Sequence, residues 1–171
     1  MRKFLVAIAV LALAATPVLA ADLSADTAAQ PSCTYCGMDR HVFGHSRMLV
    51  TYADGSMTGL CSVRCAAVEL ANALDKNPVS IQVGDYHTRK LVDAEKAVWV
   101  IGGGKSGVMT KRAKWAFEKR EDAEKFVKDN GGSIVTFDTV MKEAYGDLYE
   151  DTKMIRERRK MKRMQKPGGA Q

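Results

Sequence analysis

The spacing of apolar and polar positions changes period several times along the chain. Behind Arg2 and Lys3, residues 4–15 form an unbroken apolar run. Residues 21–32 are small and polar and include Pro31, the pattern of a flexible leader. Residues 46–52 form a β-prone run, followed by Ala53-Asp54-Gly55-Ser56. Asp-Gly between two extended runs signals a hairpin, with its return strand over residues 57–60 delivering Cys61. Ser62 is a candidate helix cap. Val63, Ala66, Ala67, Leu70, Ala71 and Leu74 recur at helical spacing, so a helix is predicted to about Leu74, before Asn77-Pro78.

A second set of elements follows. Strands are predicted near residues 79–83 and 96–101, with a turn at Gly84-Asp85 between them. A glycine-rich loop covers residues 102–107, and a short strand covers 115–117. The helix at 121–130 turns Ala123, Phe126 and Val127 inward and is stopped by Gly131-Gly132. A strand at 133–137 and a short helix at 139–145 complete it. This order predicts an α+β fold of two small ββαβ-like modules in tandem. The first, residues 33–77, is a knuckle–hairpin–helix metal module; the second is 78–145, and a charged tail fills 146–171.

The first residues stand outside that fold. A basic start, an apolar run and the small-residue stretch Thr16-Pro17-Val18-Leu19-Ala20-Ala21 have the form of a cleaved secretory signal over residues 1–20. The run is short of the ~20 residues a membrane span needs. No cysteine lies near the cleavage region, so a periplasmic protein without a lipid anchor is expected. The net charge of +6 over 171 residues changes little in this picture. Arg2 and Lys3 account for part of it, and the tail, with eight basic and four acidic residues, for the rest. The stretch 21–145 is neutral, which argues against a nucleic-acid-binding face.

Candidate chemistry lies in the four cysteines. They read Cys33-x2-Cys36, then 24 residues, then Cys61-x3-Cys65. In an exported protein the default is two disulfides. Paired spacing of this kind favours a metal, because a knuckle eased by Gly37, a hairpin end and a helix start can converge on one point. The helix N-terminus would favour thiolate at Cys65. Four thiolates alone suit zinc. Met38, two residues after Cys36, adds a thioether, and thioether with thiolate is a preference of Cu(I). The glycine-rich loop would let Met109 fold over the first module and present its sulfur; the competing reading is a core methionine.

Other residues carry weaker signals. His41 and His45 are close enough in sequence to offer nitrogen, but each reads more readily as a surface histidine than as a ligand, and His87 has no assigned role. Met48, Met57 and Met141 read as ordinary filler. Met154, Met161 and Met164 lie on one side of the tail if it is helical. The tail reads as a solvated end, with a methionine-bearing copper collector or a partner-docking helix as the alternative. The glycine-rich loop lacks phosphate-loop spacing. Paired thiols do not suit a cysteine hydrolase, so no catalysis is expected. Thiol–disulfide exchange remains open, although Cys33 follows an irregular leader rather than a strand.

Cys33-Thr34-Tyr35-Cys36-Gly37-Met38 resembles the CxxCGM start of the NosL family, the copper-binding accessory proteins of nitrous oxide reductase. The resemblance continues through Ala97-Val98-Trp99-Val100-Ile101, Gly107-Val108-Met109, Ala116-Phe117, Ala123 with Phe126, and Gly131-Gly132 with Phe137. It spans residues 32–145. Two departures stand out: many members carry a lipidated cysteine that this chain lacks, and Val108 stands where the family often has proline. The resemblance implies a periplasmic Cu(I) metallochaperone, delivering copper to nitrous oxide reductase or another envelope cuproprotein. The expected ligands are drawn from Cys33, Cys36, Met38, Cys61, Cys65 and Met109. A structural zinc module and an envelope thiol–disulfide protein are the alternatives.

Overall fold

A computed structural model describes residues 25–165. The expected signal at 1–20, the first four leader residues and the last six tail residues lie outside them. The predicted hairpin is present as β1 (Met48–Tyr52) and β2 (Met57–Leu60), paired antiparallel. Its turn is held by Asp54, whose Oδ1 accepts from the Ser56 amide at 2.8 Å. Helix α2 (Val63–Asn72) follows Ser62 directly. It is shorter than the apolar spacing suggests, and Leu74 lies beyond its end, 85% exposed.

Two small antiparallel sheets with helices form the molecule, as expected, but the strands divide between them differently. β3 (Pro78–Gly84) pairs with the free edge of β1, and β4 (Leu91–Asp93) pairs with β3. The first sheet therefore has the order β2-β1-β3-β4. Residues 78–84, read as the start of a second module, complete the first sheet instead. The reason is burial: Met48, Val50 and Tyr52 of β1 are almost fully enclosed, so both edges of that strand need hydrogen-bonding partners. Pro78 fits because it opens its strand, where no ladder donor is lost.

The second sheet has β5 (Val98–Ile101) between β6 (Lys114–Phe117) and β7 (Ser133–Val135). Helix α3 (Arg120–Asn130) packs on it and ends at Gly131, which adopts φ +75°. The two sheets are stitched where the Tyr86 amide donates to the Ala116 carbonyl at 2.8 Å. The glycine-rich loop is structural. The Gly102 amide donates to Ala113 and the Gly104 amide to Asn130, so both donors are spent on the protein's own carbonyls.

Both ends of the described chain are more ordered than their composition suggests. Residues 25–29 form helix α1 (Ala25–Ala29), not a flexible leader, because Asp26 is tied to two buried arginines. The short helix expected at 139–145 continues without a break as α4 (Phe137–Met164). At 1.5 Å per residue its 28 residues extend about 42 Å. Helix α4 packs on α2 and β5, and Asp151, within the expected tail, is buried and accepts from the Lys111 amide at 2.9 Å. From Arg156 onward every described residue is exposed.

Candidate metal centre

The site begins with the knuckle. Gly37 at φ +72° lets the chain reverse, and its amide donates to the Cys33 carbonyl at 2.9 Å. The Cys33 amide closes the loop onto the Met38 carbonyl at 2.8 Å. The knuckle is then fastened to β2, because the Thr34 amide and hydroxyl both donate to the Gly59 carbonyl at 3.1 Å. β2 ends one residue before Cys61, and Cys65 sits in the first turn of α2. One strand end, one helix start and one knuckle thus supply four thiols.

Those four sulfurs all lie within 4.8 Å of one another. Cys36 Sγ is 3.4 Å from Cys61 Sγ, which is 3.7 Å from Cys65 Sγ. A tetrahedral ion with sulfur bonds of about 2.3 Å needs sulfurs roughly 3.8 Å apart, so the donor set fits such an ion. Cys33, Cys61 and Cys65 are buried, while Cys36 is half-buried.

Crowding sets the protonation of the cluster. The neighbouring thiols of Cys36, Cys61 and Cys65 shift Cys33 downward, toward the thiolate. Cys36 is raised by its bond to Cys33, yet Cys61 and Cys65 donating to it bring it to about 7. Cys61 and Cys65 are pushed upward, chiefly by the Cys33 neighbour. A bound cation would replace the protons of such a cluster.

Two buried polar frameworks hold this arrangement. Arg40 is fully enclosed and donates to the carbonyls of Asp26, Gln30, Met48 and Leu60 and to the Asp26 carboxylate. Arg47 takes the same carboxylate through two bonds of 2.8 Å. The nearby Cys33 in turn favours the charge on Arg40, against the burial that lowers its basicity. On the other flank, Glu69 of α2 accepts from Tyr35 at 2.7 Å, Tyr52 at 2.6 Å and Thr58 at 2.9 Å. Tyr35 lies between the first two cysteines, so this bond fixes the knuckle against the helix that carries Cys65. Neither framework has a sequence motif. The available signal was an acidic residue at helical spacing among apolar ones, Glu69, and two arginines, Arg40 before the β-prone run and Arg47 at its start.

The half-open side of the cluster faces a cleft of about 280 Å³, lined by Cys36, Met109, Arg64, Val68, Ile155 and Arg159 among others. Met109 is half-buried and held at φ +59°, a left-handed conformation rare outside glycine. Its loop is anchored to α4 by Arg112 and Lys114, which bind Asp147 at 2.9 and 2.8 Å. The structure thus brings Met109 to the cleft beside Cys36. Met38 sits half-buried in the knuckle and does not line the cleft. Among the described residues no histidine joins the sulfur group. His45 packs among Phe43, Tyr86 and Trp115, and burial lowers its basicity. His87 stacks on Tyr86 and Phe117. Met48 is buried as filler, whereas Met57 is exposed.

Fold and site together define a small α+β protein with a thiolate cluster suited to a soft metal ion. The NosL family model matches residues 24–145, and the chain belongs to that family. The fold is similar to the crystal structure of the copper chaperone NosL from Shewanella denitrificans. That match has a TM-score of 0.51 at 21% identity and covers 63% of this chain and 87% of the other. Comparison with curated protein sequences finds no match.

Proposed function

We propose that the protein is a periplasmic Cu(I) metallochaperone that delivers its ion to nitrous oxide reductase or another envelope cuproprotein. The observation that carries this reading is the asymmetry of the cluster. Three thiols are enclosed and the fourth, Cys36, opens onto a cleft lined by Met109. A structural zinc site is closed on all sides by its four ligands. Here the exposed edge combines thiolate with thioether, the soft pair that Cu(I) prefers. Copper is cargo in this reading. The buried thiolates hold the ion, and an incoming acceptor takes Cys36 and the thioether positions first. Family membership and a similar protein described as a copper chaperone support the same choice. The signal-like pattern at residues 1–20 supports an envelope location. Among the described residues, the ionisable groups that share the cleft with Cys36 are Tyr35 and three arginines, and turnover is not part of the proposal.

The test is a competition titration of the reduced protein against a Cu(I) chelator in the presence of excess zinc. Wild type is expected to take Cu(I) in preference to zinc. Met109→Leu and Met38→Leu, which nearly conserve volume, are expected to keep the fold, with Met109→Leu weakening Cu(I) binding the more. Unchanged copper affinity in both variants, with zinc retained, overturns the chaperone reading in favour of a structural zinc module.

A further inference from the structure

We infer that the exposed end of α4 is a docking arm for an acidic protein surface, placed so that its occupant lies over the Cys36–Met109 cleft. The arm is a concentration of one charge on an otherwise neutral protein. Between Lys153 and Arg163 there are seven basic residues and one acidic residue, Glu157. Among the described residues only Lys153 of the seven has an ion-pair partner, Glu150 one turn earlier on the same helix. Arg156 with Lys160, Arg158 with Lys162, and Arg159 with Arg163 repeat at i, i+4, where like charges face and repel. A helix carrying that repulsion on exposed side chains gains when carboxylates come to lie along it.

The position of the arm selects the kind of occupant. Arg156 and Arg159 belong both to the arm and to the wall of the cleft that Cys36 and Met109 line. Arg64 of α2 adds a third guanidinium to the same wall. Whatever neutralises the arm is held over the one thiol of the cluster that is open. A protein can present sulfur ligands at that point, and a phospholipid headgroup cannot. The arm also lacks the broad apolar face with which a helix lies in a membrane surface: its apolar residues are Met154, Met161 and Met164, with Ile155 turned to the cleft. An acidic protein is therefore favoured over an anionic bilayer.

The handover half of this inference rests on the copper-delivery reading; the docking half does not. The experiment separates them. A short synthetic peptide rich in glutamate and ending in Met-x-Met serves as probe, with its glutamine counterpart as control. Binding to the metal-free, full-length chain is read by fluorescence anisotropy. The glutamate peptide is expected to bind at least about tenfold more tightly at low salt, with the difference shrinking as salt rises. A triple variant, Arg158→Glu with Lys162→Glu and Arg163→Glu, lies away from the cleft and is expected to lose that difference. Arg158→Lys with Arg163→Lys is expected to keep it. Copper loaded on the wild type is expected to pass faster to the glutamate peptide than to the control. Equal binding of the two peptides, an unaffected triple variant, or binding to phosphatidylglycerol vesicles without binding to the peptide would each overturn the inference. Failure of the chaperone reading shows separately, as a chain that binds no Cu(I) while the anisotropy result stands.

Discussion

The two sheets are surrounded by different kinds of interior. Around the first, the enclosed groups include Arg40, Arg47, Ser46, Ser62, Glu69 and three cysteines. Around the second, Asp85 and Lys114 are enclosed as well, but the bulk is apolar: Trp99, Val100, Phe117, Phe126 and Phe137, with ring contacts such as Phe117 to Phe126 at 5.3 Å. Apolar packing fills volume and tolerates small shifts of its members. Hydrogen bonds to buried charge fix the direction of each group they touch. The sulfur cluster lies in the half that is fixed by direction. Four thiols that must meet at one ion need their backbone placed to fractions of an ångström, and the second half needs only to support them.

The sharpest way to break this contrast is a pair of substitutions of equal size. Phe117→Ala and Asp26→Ala are each expected to cost about 3–5 kcal/mol, the first by a cavity and the second by stranding buried guanidinium charge. Their pH dependence should differ. Burial alone would raise the Asp26 carboxyl, but Arg47 and Arg40 outweigh it and hold it below the usual 3.8. A depressed carboxylate contributes stability that is complete above its unfolded value and is lost as pH falls through its folded one. Chemical denaturation between pH 5 and pH 2, values set by the ordinary carboxylate range of about 4, should show a shallower acid loss in Asp26→Ala. Phe117→Ala should keep the wild-type slope. Equal slopes in all three proteins would show that the polar clamp adds nothing of its own.

A smaller effect is expected at Gly59. A methyl group there would stand 2.6 Å from Gln30 and 2.7 Å from the Arg40 guanidinium. Gln30 can move, but Arg40 is held by five hydrogen bonds. Gly59→Ala should cost about 1–3 kcal/mol, measured by urea denaturation, and should weaken metal binding by shifting the strand on which the knuckle hangs. The mildest test is Tyr35→Phe, which removes one bond to Glu69 at a partly exposed site. It should cost about 1 kcal/mol while loosening the knuckle, so its effect on metal affinity should exceed its effect on the melting temperature.

What could be read from the sequence was local. The Asp54-Gly55 hairpin, the helix after Ser62 and the four cysteines lie within short stretches whose residues dictate their own geometry. Their convergence followed from those elements being short and adjacent. The pairing of β1 with β3 joins residues some 30 positions apart, and nothing in the alternation of residues 78–84 says which strand they meet. Asp26 gave no signal because its partners are arginines whose charges lose their water only once the fold encloses them. The full length of helix α4, of which residues 139–145 were expected, was hidden for a different reason. Its basic repeats disfavour a helix in isolation, and the tertiary contacts that support it, at Ala144 and Asp151, fall on either side of the expected boundary.

The knuckle has a second consequence through its attachment to β2. That strand is the outermost of the first sheet, and its outward carbonyls at Met57 and Gly59 are taken by the Gln30 side chain and the Thr34 amide. A bare strand edge recruits strands from other molecules and is a route to aggregation. The segment that delivers Cys33 and Cys36 is therefore also the guard on that edge. Any event that detaches it would uncover that edge to self-association, and an ion held by Cys33 and Cys36 would keep the guard in place.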